Sequence, residues 1–468
     1  MDKNKELAKN TAIITIGKIC TQFMSFFLLP LYTAVLSTEE YGVVDLLITY
    51  TSLFMPVILF QVDQALFRFL VDVRKDESGQ KKIISTCLVF ALVQALAVIL
   101  IFSVIQIFIS SEYKWFLILN ILACICANMM LQTARGLGDN VTYALGSFIS
   151  AASQIAGNIV LLLVFDMGVY GMLCATVLSH LATAFFVFFR KRVYRYFEVK
   201  AFRLSELKEI LHYSFPLIPN ALCWWALNAS DRSIVLFFLG TSFNGLLSVG
   251  HKFSSVYITF YNIFNLSWTE SAAVHMNDPD REEFFSGVIT NMLNLFMCAG
   301  IGIIACMPFA YPLLIHGKFS GAYGLIPVFM LASMLNVVVG LYSVIYVALK
   351  KTKEIAKTSI YSGIINIVVH LALVKFVGLY AAAISSVAAF GVMAVYRYFD
   401  LKKYMNIRLE KRSMAVIVLL YCITCWSYYK GNMVVQGCVL LMVAVCSALM
   451  NRKMLLEAVH MIRSKIKR

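Results

Sequence analysis

Apolar runs of roughly 20 residues recur from one end of the chain to the other, each long enough as a helix to cross a hydrocarbon core ~30 Å thick. That repetition fixes the solvent before it fixes the fold. In lipid every backbone N–H and C=O must be satisfied within the protein, which leaves helices or a closed barrel, and runs of this length select helices. Of the 468 residues 60% are hydrophobic and only 14% charged, against about a quarter charged in soluble domains, so no soluble domain is expected.

Apolar windows predict fourteen spans, near 11–36, 41–62, 83–109, 114–134, 141–165, 169–189, 211–239, 243–270, 285–310, 325–349, 354–377, 379–399, 413–429 and 433–450. The first follows a polar, basic start, MDKNKELAKN, and contains no small-residue cleavage site, so it reads as a retained span. The net charge of +15 does not point to nucleic acid, because the basic residues sit in short loops between spans. On alternate loops and the two termini fall 33 of the 40 lysines and arginines, and such loops stay cytoplasmic. Both termini are therefore expected in the cytoplasm. Twelve cysteines, among them Cys124, Cys126, Cys422 and Cys425, lie almost entirely in apolar runs and read as small hydrophobes, not metal ligands.

Gly168-Val169-Tyr170 opens the sixth span and Gly378-Leu379-Tyr380 the twelfth, each a two-residue turn before a span with a basic exit, at Arg190 and near Arg397. Equal placement supports duplication of a six-span unit, and both copies begin on the same side, so the repeats are parallel. The expected architecture is an all-α integral membrane protein of fourteen helices: two six-helix lobes around a central cavity, plus two C-terminal helices. Its parts are a lobe at 1–192, a cytoplasmic interfacial linker at 193–210, a second lobe at 211–403, and a terminal pair with a basic tail at 404–468. Prolines Pro30, Pro56, Pro216 and Pro219 predict bends in the first, second and seventh spans.

Three cations remain inside spans: Lys18, Arg232 and Lys252. Ionisable groups at membrane depth are costly enough to read as functional by default, and these three suit an anionic substrate in a hydrated cavity. Counting from the outer ends of their spans at ~1.5 Å per residue places Arg232 and Lys252 level, about 12–14 Å deep. Asp231 adjoins Arg232 but points ~100° away on a helix and is a poor partner for it. Asp45, Asp63, Asp231 and Glu270 are candidates for ion coupling or gating. In the eighth span Tyr257, Tyr261, Phe264 and Trp268 share one helical face beside Asn262 and Asn265, a face for stacking sugars or for packing another helix. Trp224, Trp225 and Asn228 pose the same choice. His251 and His370 read as packed or cavity-lining.

The segments LLPLYTAVLSTEEYGVVDLLITY (28–50), ARGLGDNVTYALGSF (134–148), SDRSIVLFFLG (230–240) and VGLYAAAISSVAAF (377–390) resemble the multidrug, oligosaccharidyl-lipid and polysaccharide exporter superfamily, in its Wzx-type flippase branch. The resemblance covers residues 1 to about 405. It implies a non-enzymatic flippase in a bacterial cell membrane that moves an undecaprenyl-pyrophosphate-linked oligosaccharide by alternating access, supplying capsule, exopolysaccharide or O-antigen. The implied partners are the lipid-linked oligosaccharide, membrane lipid and a glycan polymerase, with no cofactor. Two alternatives stand beside it. An ion-coupled multidrug exporter would favour carboxylates over buried cations, and a membrane glycan polymerase or transferase would need acid–base or metal-ligand clusters on larger outer loops.

Overall fold

The computed structural model describes residues 26–108, 110–276, 278–349, 351–452, 454 and 456. Lys18, the side chains of Glu270, Trp224 and Asn228, and most of the basic C-terminal stretch lie outside the described residues. The described chain is helical throughout. Its elements run α1 (Leu29–Val35), α2 (Thr38–Ile58), α3 (Val62–Asp72), α4 (Glu77–Ile105), α5 (Lys114–Gly136), α6 (Asn140–Ile159), α7 (Gly168–Arg190) and α8 (Leu204–Ser214). They continue as α9 (Leu217–Leu239), α10 (Thr241–His275), α11 (Arg281–Leu314), α12 (Ile326–Ala348), α13 (Thr352–Val377), α14 (Tyr380–Leu401), α15 (Lys411–Lys430) and α16 (Met433–Met450). Among the described residues eleven helices are long and apolar enough to cross a membrane. They match the expected second to sixth and ninth to fourteenth spans. α9 and α10, at the expected seventh and eighth spans, have 23 and 35 residues and so have the length to cross.

Local chemistry sets several of these boundaries. Ser37 starts α2 through a reciprocal capping box: its hydroxyl accepts from the Glu40 backbone N–H, and its own N–H donates to the Glu40 carboxylate at 2.7 Å. Asp76, Asp139 and Asn432 cap α4, α6 and α16 in the same sense. The seventh window does not begin as one helix. α8 ends at Ser214 and α9 starts at Leu217, with Pro216 in the break, where a proline disfavours helical geometry in the residue before it. Pro56 remains inside α2, while Pro30 lies at the first turn of α1, a position that needs no N–H.

Two compact units make up the chain, Met1–Leu236 and Phe237–Arg468. In the first, Leu66 and Leu70 of α3, Ile84 and Cys87 of α4, Ile125 and Met129 of α5, Val187 of α7 and Ile210 of α8 form one apolar interior. Backbones approach closely where side chains are small: a methyl group on Gly157 of α6 would lie 3.1 Å from the Ala175 methyl of α7. Residues 193–210, expected as an interfacial connection, are bonded into this unit. The Ser85 hydroxyl donates to the Tyr196 carbonyl and accepts from the Glu198 N–H, and Thr86 accepts from the Arg203 N–H.

In the second unit α10 packs against α11 and α12, and α12 and α13 pack against α14. Its largest buried polar centre is Arg397, which the loop pattern assigns to a solvated basic exit but which is 1% exposed. Its guanidinium donates to the Thr358 hydroxyl at 2.7 Å, the Val339 carbonyl at 3.2 Å, the Ile355 carbonyl and the Ser343 hydroxyl. Arg397 therefore ties α12, α13 and α14 together, which counting lysines and arginines by loop could not show.

The two turns paired in sequence each hold a glycine at positive φ. Gly168 has φ +51° and Gly378 φ +56°, a region costly for residues with a Cβ. Each precedes or opens a helix, α7 or α14.

Candidate functional site

The strongest charge relationship at membrane depth lies in the first unit, between α2 and α9. Arg232 Nε donates to Asp45 Oδ2 at 2.6 Å, with both side chains about one-sixth exposed, 16% and 17%. One helical turn on, Thr49 accepts through its carbonyl from Trp225 Nε1 at 3.2 Å. Advancing along α2 from Asp45 to Thr49 corresponds to stepping back along α9 from Arg232 to Trp225, so the two helices run antiparallel. One turn before Asp45, the buried Tyr41 stacks obliquely on Tyr32 of α1, with ring centroids 6.0 Å apart. Asp231 is buried beside Arg232 in sequence, but the carboxylate on Arg232 is that of Asp45.

This pairing could not be read from either helix alone. Hydropathy places a charge at a depth, not at an angle around the helix axis, and the partners are 187 residues apart. The available signal was the presence of one acid and one base in two membrane-length segments.

The other candidates distribute as follows. Lys252 lies on α10 in the second unit and is partly buried, and its backbone carbonyl accepts from the Ser255 hydroxyl at 2.7 Å. The aromatic stripe of α10 turns inward, onto a neighbouring helix. Tyr257, Tyr261 and Trp268 are 2–4% exposed. The Tyr257 hydroxyl donates to the Phe296 carbonyl, Trp268 Nε1 to the Leu341 carbonyl, and the Tyr261 hydroxyl to Asn265 Oδ1. Edge-to-face contacts of Tyr257 and Tyr261 with Phe296 complete a helix-packing surface. His251 packs its ring on Phe329, and His370 is fully buried. Asp63 stands at the start of α3, where it lines a cavity within the first unit with Ile48, Met55, Asn120 and His180.

Among the described residues, no three His, Cys, Asp or Glu side chains converge as a metal site would require. The eleven described cysteines are all free thiols. The Arg232–Asp45 pair has chemistry suited to anions. A guanidinium presents five N–H donors in a planar fork, and phosphate oxygens match that fork as well as a carboxylate does. An incoming phosphate can thus exchange with Asp45 on Arg232 without leaving a bare cation in a low-dielectric interior.

Residues 7–268 match the family described as polysaccharide biosynthesis protein. That stretch contains Lys18, Asp45, Asp63, Asp231, Arg232 and Lys252. No curated protein matches the sequence at a significant level. Among solved structures, the chain is similar to the lipid II flippase MurJ in an inward closed conformation, at 15% identity and a TM-score of 0.68, covering 95% of this chain and 99% of that one. It is also similar to an inward-facing multidrug resistance MATE family transporter of the MOP superfamily, at 15% identity and a TM-score of 0.66, covering 82% of this chain and 96% of that one. A MOP superfamily transporter from Pyrococcus furiosus gives 15% identity and a TM-score of 0.58, with 86% and 96% covered. At these identities the likeness establishes the fold.

Proposed function

The chain belongs to the polysaccharide biosynthesis protein family, and from that premise we propose that it carries a lipid-pyrophosphate-linked oligosaccharide repeat unit from the inner to the outer leaflet of a bacterial membrane. The basic loops then face the cytoplasm with both termini. Transport follows alternating access: a cavity open first to one leaflet and then to the other admits the charged head, while the prenyl tail stays in lipid.

The observation that carries this reading is the Arg232–Asp45 pair on membrane-length helices. Burying one such pair gives little net stability, because the desolvation of both charges offsets their attraction. Its retention makes sense as a place where one anion is replaced by another. The pyrophosphate takes the guanidinium fork, Asp45 is released, and the broken contact between α2 and α9 lets the cavity change its opening. Lys18 and Lys252 are further candidate contacts for the anionic substrate. A glycan polymerase is the expected consumer of the flipped unit.

Deleting the gene in its host and locating the lipid-linked intermediate tests this directly. Accumulation of a complete repeat unit on the inner leaflet is expected, with rescue by the wild-type gene and not by Arg232→Ala. Normal lipid-linked pools with altered drug tolerance would instead indicate a drug exporter.

A further inference from the structure

A cavity of about 1020 Å³ opens on the second unit where α11 begins. α11 has 34 residues and so runs ~51 Å, well beyond the ~30 Å of a hydrocarbon core, whereas α15 and α16, with 20 and 18, match that core. The two shorter helices therefore cover only part of α11. Ser413, at the start of α15, donates to Asn294 of α11 at 2.7 Å, and Met450, at the end of α16, meets Cys298 at 3.9 Å. Glu283, Gly287 and Asn291 continue the same helical face toward the start of α11, and all three are exposed. A methyl group on Gly287 would have nothing within 4 Å. The other wall is the non-helical segment 406–410, held to α11 by the Asn406 N–H on the Glu282 carboxylate and the Arg408 N–H on the Ser286 hydroxyl, each at 3.0 Å.

The charge of this groove sets it apart. Asp280, Glu282, Glu283 and Glu410 line it against Arg281 and Arg408, a negative lining in a chain of net charge +15. Nearby basic groups are engaged elsewhere: Lys403 pairs with Asp400 at 2.8 Å, and Lys402 lies over the Tyr398 ring. Lys411 and Arg412 follow Glu410 in sequence and are exposed. The carboxylates are spread over α11 and the 406–410 segment, and among the described residues they do not converge as metal ligands would. Such a spread suits an elongated basic stretch of chain better than a single ion.

We propose that this groove receives the chain's own basic stretch 463–468, which lies outside the described residues. Arg463, Lys465, Lys467 and Arg468 make four of its six residues basic, and no carboxylate follows Glu457. The stretch is also within reach. Measured along α11 from Cys298, where α16 ends beside it, the groove begins ~10 Å away at Asn291 and extends to ~27 Å at Asp280. The intervening residues 452–463 span ~18 Å as a helix and up to ~40 Å extended. Tethering makes the encounter intramolecular, at an effective concentration near millimolar, so that modest exposed ion pairs suffice to hold it. The docked stretch covers the face of α11 that α15 and α16 leave open.

The test uses the full-length protein with a photo-reactive benzoylphenylalanine in place of Ser464, irradiated without substrate in detergent and in vesicles of neutral or of anionic phospholipid. Mass spectrometry identifies the cross-linked peptides. Cross-links within one chain to 280–291 or 406–410 are expected in detergent and in both kinds of vesicle. Lys465→Glu should lower their yield about threefold or more, and Glu283→Lys in the same chain should restore much of it. Raising salt from about 50 mM to about 500 mM should weaken them as well. Restoration by the second charge reversal shows that the first had not unfolded the protein. Cross-links confined to lipid or to other loops overturn the proposal, the former in favour of a stretch bound to the membrane surface. Cross-links between two copies overturn it in favour of an interface between chains, and a yield indifferent to Lys465→Glu removes its electrostatic basis. Because no substrate is present, failure here leaves the flippase reading intact, and failure of that reading leaves these cross-links unchanged.

Discussion

Arg232 of α9 and Asp45 of α2, 187 residues apart in sequence, meet at 2.6 Å in the interior of the first unit. One turn away, Trp225 bonds the Thr49 carbonyl. The charge pair and the indole clasp hold the same two helices, but only the pair can exchange its anion. On the proposed exchange, that difference separates a residue needed for transport from one needed for packing.

Removing one member of the pair takes away the counter-charge that the other holds at 2.6 Å. Arg232→Ala and Asp45→Ala should each lower stability by about 3–5 kcal/mol. An Arg232→Met, Asp45→Leu double variant should regain most of that, because well-packed apolar side chains replace a buried pair at little cost. Apparent thermal midpoints in detergent measure the recovery. A double variant as unstable as either single would show that the pair is not the unit of coupling.

Trp225→Phe keeps the ring and removes one hydrogen bond, worth about 0.5–1.5 kcal/mol. Its export in complemented cells should stay close to that of the wild type, in contrast to Arg232→Ala. Export lost to the same degree would make the whole α2–α9 seam, not its charges, the functional element.

Among the described residues, the hydrogen bonds by which Arg397 anchors the second unit go to neutral acceptors. Arg397→Lys should therefore be almost as damaging as Arg397→Ala, by several kcal/mol, since an ammonium cannot span Thr358, Ser343 and the Val339 carbonyl as a planar fork does. Protease resistance of the inserted protein reports it. Wild-type resistance in the lysine variant would mean that charge alone suffices.

Gly168→Ala and Gly378→Ala should each destabilise by about 1–2 kcal/mol, since both residues have positive φ. Comparable shifts in thermal midpoint at the two positions would agree with a duplicated turn. A neutral outcome at one of them would set that turn apart.

Asp139 governs an acid-sensitive corner. It caps α6 through the Thr142 N–H at 2.9 Å and pairs with Lys191 at 3.0 Å. Burial alone would raise its carboxyl, but the hydrogen bonds from Thr142 and Lys191 outweigh it and hold the group below its ordinary value. A lowered folded-state value contributes stability above the unfolded one, and that contribution is lost as pH falls through the folded-state value. Wild-type protein should therefore lose stability below about pH 4 more steeply than Asp139→Asn, which keeps most of the cap. Parallel pH curves for the two proteins would contradict this.

Much of the architecture was legible because lipid imposes a simple rule on sequence: an apolar run of spanning length becomes a helix. Helices α2, α4 to α7 and α11 to α16 sit where hydropathy puts them. What hydropathy could not supply was rotation. It placed Tyr257, Tyr261 and Trp268 on one face without showing that the face meets Phe296 and Leu341. It placed Arg397 at a helix end without showing that the end is buried. His180 escaped notice although a lone histidine in an apolar run is a signal of the same kind as Lys252. It lines the same cavity as Asp63, which stands behind two left-handed residues, Phe60 and Gln61.

The central claim is that Arg232 exchanges Asp45 for the phosphate of a lipid-linked saccharide. Reconstituted vesicles loaded with a fluorescent prenyl-pyrophosphate-linked oligosaccharide, and separately with a neutral prenyl glycoside, measure it most directly. Translocation of the pyrophosphate substrate should be abolished in Arg232→Ala and partly kept in Arg232→Lys, with little movement of the neutral lipid by any form. Full translocation of the pyrophosphate lipid by a correctly inserted Arg232→Ala protein would contradict the account.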